Sequence, residues 1–326
     1  MDRSIPQLRR AGAPAVHSLH RFAFSVPDLD VAAEFYAAFG LDVRRVDGRI
    51  DLHTDGHPHR WGSIYRGGEL KQIEYLSFAA YADDFDPLVA QLERMGIARA
   101  APHRFADEAG VWLTDPDGTA IQLVAAAKSS PAAKVVHRAA AVPPGQGAAP
   151  SRSSLGPVRP RRLSHCLLFS SDVTRSVRFY TQAFGLRLSD YSGDGIAFLH
   201  GAHASDHHML AFAKSEGPGF HHSSWDVASV DDVGLGMEQT MAAGYKDGWG
   251  VGRHVLGSNY FRYVRDPWGS FAEYSADIDF IPVDVEWKAA DHPPEDSFYV
   301  WGPPVPDYFI VNHEIAGRRA RKPQAA

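Results

Sequence analysis

The sequence predicts an α+β fold in which one small unit is used four times, twice in each half of the chain. Two observations carry this. First, His20-Arg-Phe-Ala-Phe-Ser-Val-Pro-Asp, then Glu34-Phe-Tyr-Ala-Ala-Phe-Gly-Leu-Asp-Val, returns as His165-Cys-Leu-Leu-Phe-Ser-Ser-Asp, then Arg178-Phe-Tyr-Thr-Gln-Ala-Phe-Gly-Leu-Arg-Leu. Second, Val111-Trp-Leu-Thr-Asp-Pro-Asp-Gly-Thr-Ala-Ile-Gln-Leu returns at a similar offset as Phe261-Arg-Tyr-Val-Arg-Asp-Pro-Trp-Gly-Ser-Phe-Ala-Glu-Tyr. A similar offset over two separate stretches marks a tandem duplication.

Within each half the order strand, helix, strands occurs twice. Leu19–Val26 alternates as a strand does, and Leu29–Phe39 has apolar residues at helical spacing, with Gly40 where a helix C-terminus calls for glycine. Strand-like runs follow near Ile64–Tyr65 and at Ile73–Phe78; a helix over Asp84–Met95 and strands Val111–Leu113 and Ala120–Val124 complete the half. Asp115-Pro-Asp-Gly supplies a hairpin turn. The second half repeats the order with Leu163–Ser170, helix Val173–Phe184, Ala197–His200, His208–Phe212, Ser223–Val227, helix Val230–Ala243, Tyr260–Val264 and Ser270–Ser275. This gives an N-terminal domain at 17–126, a flexible Ala/Pro/Ser/Gly-rich linker at 127–160, a C-terminal domain at 161–280 and a tail at 281–326 that packs on it.

Composition narrows the function. A chain of 326 residues holds about two domains. The net charge of −6 offers nothing to a polyphosphate backbone, so no nucleic-acid partner is expected. No apolar run reaches the length of a membrane span, and the first residues lack the apolar core of a secretion signal; the expected location is cytoplasmic, with no membrane partner. Cys166 is the only cysteine, which excludes an internal disulfide, a cysteine-based zinc site and an iron–sulfur cluster. Histidine is the notable residue: there are 17, and many fall between His165 and His254.

Four βαβββ-type modules, with Phe-Tyr-x-x-Phe-Gly-Leu or Phe-Tyr-x-x-x-Phe-Gly-Leu after the first helix of each half, resemble the vicinal oxygen chelate superfamily. Within it, roughly residues 17–300 are similar to a two-domain type I extradiol ring-cleaving dioxygenase. The resemblance implies that each pair of modules curls into an incomplete barrel. It also implies a cytoplasmic homo-oligomer acting in bacterial aromatic catabolism, with Fe(II) as cofactor, dioxygen as co-substrate and a small aromatic diol as substrate.

Such an oxygenase needs two imidazoles and one carboxylate on one face of the metal. His165 opens the first strand of module three, His222 opens module four and Glu273 lies on its last strand. Alternation puts Phe271, Glu273 and Ser275 on one face, where a carboxylate among apolar groups needs a partner. His221 is the rival to His222; in resembling dioxygenases the second histidine of such a pair is the ligand. Aligning Asp115-Pro with Asp266-Pro sets Gln122 opposite Glu273 and Leu76 opposite His222, leaving His20 opposite His165. The first half is therefore expected to bind no metal.

Three further residues match the dioxygenase pattern: His208 as the acid–base group, with His207 as its rival, Tyr263 as a hydrogen-bond partner of the substrate, and His254 near the entrance. A catechol must give up a proton to chelate, and neutral imidazole accepts one near pH 7. His200 and His203 are expected in solvent, and Cys166 in the core. Substrate contacts are expected from Phe198, Trp225, Ser258, Asn259, Trp287 and tail aromatics such as Trp301. No arginine pair suited to a carboxylate stands out, which favours an uncharged one- or two-ring catechol or a trihydroxylated ring. Mn(II) is an alternative to Fe(II), because N/O ligands do not choose between them. The competing readings are a glyoxalase-like isomerase or lyase, and a metal-free protein that sequesters a drug-like ligand.

Overall fold

The structure, a computed structural model, describes residues 9–135 and 142–321. The first half contains β1 (Val16–Val26), α1 (Leu29–Ala38), β2 (Asp42–Val46), β3 (Arg49–His53), β4 (Gly62–Arg66), β5 (Gln72–Ala80), α2 (Ala82–Arg94), β6 (Val111–Thr114) and β7 (Ala120–Ala125). The second half begins with β8 (Arg162–Ser170), α3 (Val173–Phe184), β9 (Arg187–Ser192), β10 (Ile196–His200), β11 (Ser205–Asp206) and β12 (Leu210–Lys214). It continues with β13 (Gly219–Asp226), α4 (Val230–Ala242), β14 (Gly248–His254), β15 (Tyr260–Arg265) and β16 (Phe271–Ala276). The tail adds β17 (Phe280–Ile281), α5 (Pro294–Ser297), β18 (Tyr299–Trp301) and α6 (His313–Arg321).

Short polar side chains start the helices. Asp28 accepts from the Asp30 amide at 2.8 Å, Asp172 from Arg175 at 2.9 Å and Ser229 from Asp232 at 3.1 Å, each satisfying a helix-end N–H. After α1 the chain turns at Gly40, whose φ of +96° and contact with the Val158 carbonyl leave no room for a Cβ.

The seven-stranded sheet has the order β2-β3-β4-β1-β5-β7-β6, and the nine-stranded sheet β18-β14-β15-β16-β13-β8-β12-β10-β9. In each, two modules meet through their first strands, antiparallel, as β1 with β5 and β8 with β13. The sheets curl into half-barrels. Module two is one strand short: residues between α2 and β6 form a loop where module four has β14. The outer faces of the two sheets share one apolar core running from Val16 to Ala276. Phe39 stacks on Tyr274 at 3.9 Å and accepts its hydroxyl hydrogen at the backbone oxygen, while Lys71 of the first half pairs with buried Asp266 of the second.

Three expectations need correction. The short strands β2, β3, β9 and β14 were not read from the sequence, because they are polar or lack clean alternation. The stretch expected to be a loose linker is tied down at both ends. Lys128 donates to the carbonyls of Ser130, Pro131 and Ala204, and Val158 donates to Gln239; residues 136–141 lie outside the described ones. His200 and His203 are buried rather than in solvent. Ser189 holds His200 at 2.8 Å, and Asp84 and the Arg10 amide close over His203.

Candidate metal centre and its cavity

Four neighbouring strands of the second half build the centre. His165 on β8 pairs in register with Ser224 on β13, Ser224 with Glu273 on β16, and Glu273 with Tyr263 on β15. These four therefore lie in one row across the sheet, facing its hollow side. His222 is two residues from Ser224 and shares that face. Cys166 and Trp225, each one residue off the row, point to the opposite face and join the core.

His165 Nε2, His222 Nε2 and Glu273 Oε2 converge, with separations of 3.2 Å between the imidazoles and 3.3 and 3.6 Å to the carboxylate. All three residues are buried, and among the described residues they form the one such cluster of metal-binding groups. Three donors at right angles around an ion with ~2.1 Å bonds would stand ~3 Å apart, so the spacing fits a facial site.

The surrounding hydrogen bonds show where the protons sit. His221 Nε2–H donates to the Phe309 carbonyl at 2.8 Å, so its Nδ1 accepts from His222 Nδ1–H at 2.6 Å. That leaves His222 Nε2 as a bare lone pair. Ser164 Oγ gives its hydrogen to Asp206 Oδ2 at 3.5 Å and so accepts from His165 Nδ1–H at 3.2 Å, with the same consequence for its Nε2. Glu273 Oε1 accepts from Asn259 at 3.2 Å, whereas buried Oε2 has no hydrogen-bond partner among the described residues. Glu273 is wholly buried, so no water answers the charge of its carboxylate. Burial likewise holds the His222 imidazole far below its ordinary value. Lone pairs thus converge in a buried place, an arrangement that a cation relieves.

The cavity over these groups encloses about 680 Å³ of space, open solvent at its mouth included. Its polar end holds His208, His254, Asn259 and Tyr263; its walls are apolar, from Leu167, Phe169, Ile196, Phe198 and Leu256. The tail supplies Phe298, Phe309 and Ile310, which the sequence reading missed. His254 Nδ1–H donates to the Phe298 carbonyl at 2.9 Å, leaving Nε2 to accept from the Tyr263 hydroxyl at 2.9 Å. His208 lies with its ring 4.0 Å from that of His165 and 4.9 Å from Phe198. His207 and His208 sit in a turn before β12, not on a strand, and their rings meet at 88°. Only His208 of the two lines the cavity.

Of the expected substrate contacts, Phe198 and Asn259 line the cavity and four residues do not. Trp225 is core, as its place one residue off the row dictates. Ser258 donates to Asp279. Trp287 donates to the Ser189 carbonyl and lies over His207. Trp301 is half-exposed beside Tyr260.

The first half differs in register from the sequence alignment. β1 bulges so that Leu19 pairs with Phe78 and Arg21 with Ser77, skipping His20; β8 bulges in the same place, skipping Ser164. Arg21, Tyr75, Gln122 and Trp112 therefore occupy the places of His165, His222, Glu273 and Tyr263, and His20 and Leu76 do not. Arg21 is paired with Asp107 and Glu108, and Gln122 donates to the Glu108 carbonyl, so the chain's own loop fills this half-barrel.

A family profile described as the Glyoxalase/Bleomycin resistance protein/Dioxygenase superfamily matches residues 18–123 and 162–274. Metapyrocatechase 2 of Cupriavidus necator is 50% identical over 300 residues, covering 92% of this chain and 93% of that protein. The Mn(II)-bound glyoxalase from Novosphingobium aromaticivorans superposes with a TM-score of 0.71 at 26% identity, over 90% of this chain and 94% of that one. Homoprotocatechuate 2,3-dioxygenase from Arthrobacter globiformis shares the fold with a TM-score of 0.71 at 19% identity, over 92% of each chain. The chain belongs to the Glyoxalase/Bleomycin resistance protein/Dioxygenase superfamily.

Proposed function

We propose that this chain is an extradiol dioxygenase that holds one Fe(II) on His165, His222 and Glu273 and opens a catechol ring with insertion of both atoms of dioxygen. The observation that carries the reading is the convergence of two bare imidazole nitrogens and one unpartnered carboxylate oxygen at the floor of an apolar cavity. The high identity to a metapyrocatechase over nearly the whole of both chains supports it. Fe(II), when bound, supplies the charge that favours the catecholate and the redox capacity that brings dioxygen to it.

The chain's own groups do the rest. Burial holds His208 neutral by pushing its imidazole well below the ordinary value, so it can take the proton of a substrate hydroxyl and return one when the O–O bond breaks. Tyr263 gives its hydrogen to His254 and keeps a lone pair for a substrate hydroxyl. Asn259 orients the Glu273 carboxylate. The apolar walls exclude water and hold the ring in place. Among the described residues no Lys or Arg lines the cavity, which supports an uncharged catechol whose ring substituents are apolar.

Reconstitution with Fe(II) under argon, then addition of catechol and air, tests this: a yellow ring-opened product is expected, and no oxygen uptake would refute it. Mn(II) is the second reading of the metal, favoured by the Mn(II)-bound neighbour; parallel loading with each ion decides it. A homo-oligomer remains the assembly we infer from the family, to be checked by light scattering on the eluted protein.

A further inference from the structure

We infer that Asp190 and His207 are positioning residues that fix the tautomer of His208, so that its Nε2 is presented to the substrate as a bare lone pair. The inference rests on the reading of His208 as the group that handles the substrate proton. His207 Nε2–H donates to Asp190 Oδ2 at 2.8 Å. The His207 and His208 Nδ1 atoms are 3.0 Å apart, so one must donate and one accept. With its Nε2 hydrogen committed to a carboxylate, neutral His207 has only a lone pair at Nδ1, and His208 Nδ1–H is the donor. A neutral His208 then has no hydrogen on Nε2, the state that accepts a proton.

The pair is held from every side. His207 is wholly buried; its amide donates to the Asp279 carbonyl at 2.7 Å and its carbonyl accepts from Ser189 at 2.5 Å. Asp190 Oδ1 accepts from the Ala290 amide at 2.9 Å and faces His292 Nε2 at 3.2 Å, and Oδ2 also receives Trp287 at 3.3 Å. Burial pushes the Asp190 carboxyl up, but His207 and the Ala290 amide outweigh it, so it stays ionised and accepts only. The tail thus reaches the cavity through a line of hydrogen bonds that ends on His208. This gives Trp287 a place in the chemistry without a contact to substrate.

The test uses the full-length, iron-loaded protein with catechol as substrate and reads iron content, KM and kcat together. His207→Leu removes the acceptor and frees the His208 ring; kcat should fall ~10–100-fold with iron content and KM within about twofold of the parent. His207→Asn returns a carbonyl oxygen close to where Nδ1 stands and should recover most of the loss. Asp190→Asn, the milder change, can donate to His207 as well as accept and should lower kcat in the same selective way. Wild-type kcat in His207→Leu or in Asp190→Asn overturns the inference, as does a loss of iron or a rise in KM that parallels kcat and is not rescued by asparagine. His208→Phe run beside them separates the two levels: if it turns over normally, the acid–base reading fails; if only it is impaired, the positioning role alone fails.

Discussion

Asn259 donates an amide hydrogen to Glu273 Oε1 at 3.2 Å, which divides the work of that carboxylate between its two oxygens. Oε1 is held by the protein, and Oε2 is left to face His165 and His222. Replacing Glu273 by Gln removes the anion and brings a donor N–H into a pocket of lone pairs. We expect Glu273→Gln to lose iron on desalting, while Gln122→Ala, at the matching place of the first half, keeps it. Equal retention in the two variants, by metal analysis, would contradict the assignment.

His222 and His208 both bond through Nδ1 to the histidine before them, yet only His222 belongs to the ligand cluster, with its Nε2 3.6 Å from Glu273 Oε2. His222→Ala should lose the metal. His208→Phe should keep it and still bind catechol, with kcat lowered ~10²–10⁴-fold for the lost acid–base group. Iron content and catechol binding under argon, set against oxygen uptake in air, distinguish the two outcomes.

One iron per chain is expected after reconstitution. The guanidinium of Arg21 stands where the first half would need an imidazole and is already paired with Asp107 and Glu108. A cation has no reason to enter there. A stoichiometry near two by atomic absorption would overturn this account of the duplication.

The duplication was legible because Asp115-Pro and Asp266-Pro fix the last strand of each half without a gap, so Glu273 and Gln122 were matched correctly. The first strand was not, although counting back from Asp28 and Asp172, which start the first helix of each half, sets Arg21 opposite His165, as the pairing with Ser77 also does. Trp225 was a readable error. Counting by twos from His222 gives Ser224 as the inward residue and sends the tryptophan to the core. The tail wall had no such signal, because Phe298, Phe309 and Ile310 belong to no repeat and to no long periodic element.

Stability should depend on pH through Glu314. This α6 residue is buried where both halves meet, accepting from the amides of Ile73 at 3.2 Å and Phe220 at 2.8 Å. Burial raises its carboxyl to about 7 from an ordinary 4.5, against the lowering effect of those amides. Between those values the folded chain keeps a proton that the unfolded chain has lost, so this residue's contribution is full below 4.5 and is lost as pH rises through 7. Glu314→Gln keeps the acceptor oxygen and removes the titration. Its melting temperature should exceed the parent's by an amount that grows from pH 5 to pH 8; a constant gap in calorimetry would rule this out.

The cavity's upper wall and its floor come from different parts of the gene. His165, His222 and Glu273 are set by duplicated strands, whereas Phe298, Phe309 and Ile310 lie within one short uninterrupted stretch. Selection on the ring substituents can therefore act on that stretch alone, and the oxygen chemistry is passed on unchanged. Grafting only this stretch between relatives should shift their substrate ranges, with Leu167, Phe169, Ile196, Phe198 and Leu256 setting the rest of the wall, and with one constraint: the Phe309 carbonyl that receives His221 is main chain, so its position must be kept whatever side chain it bears.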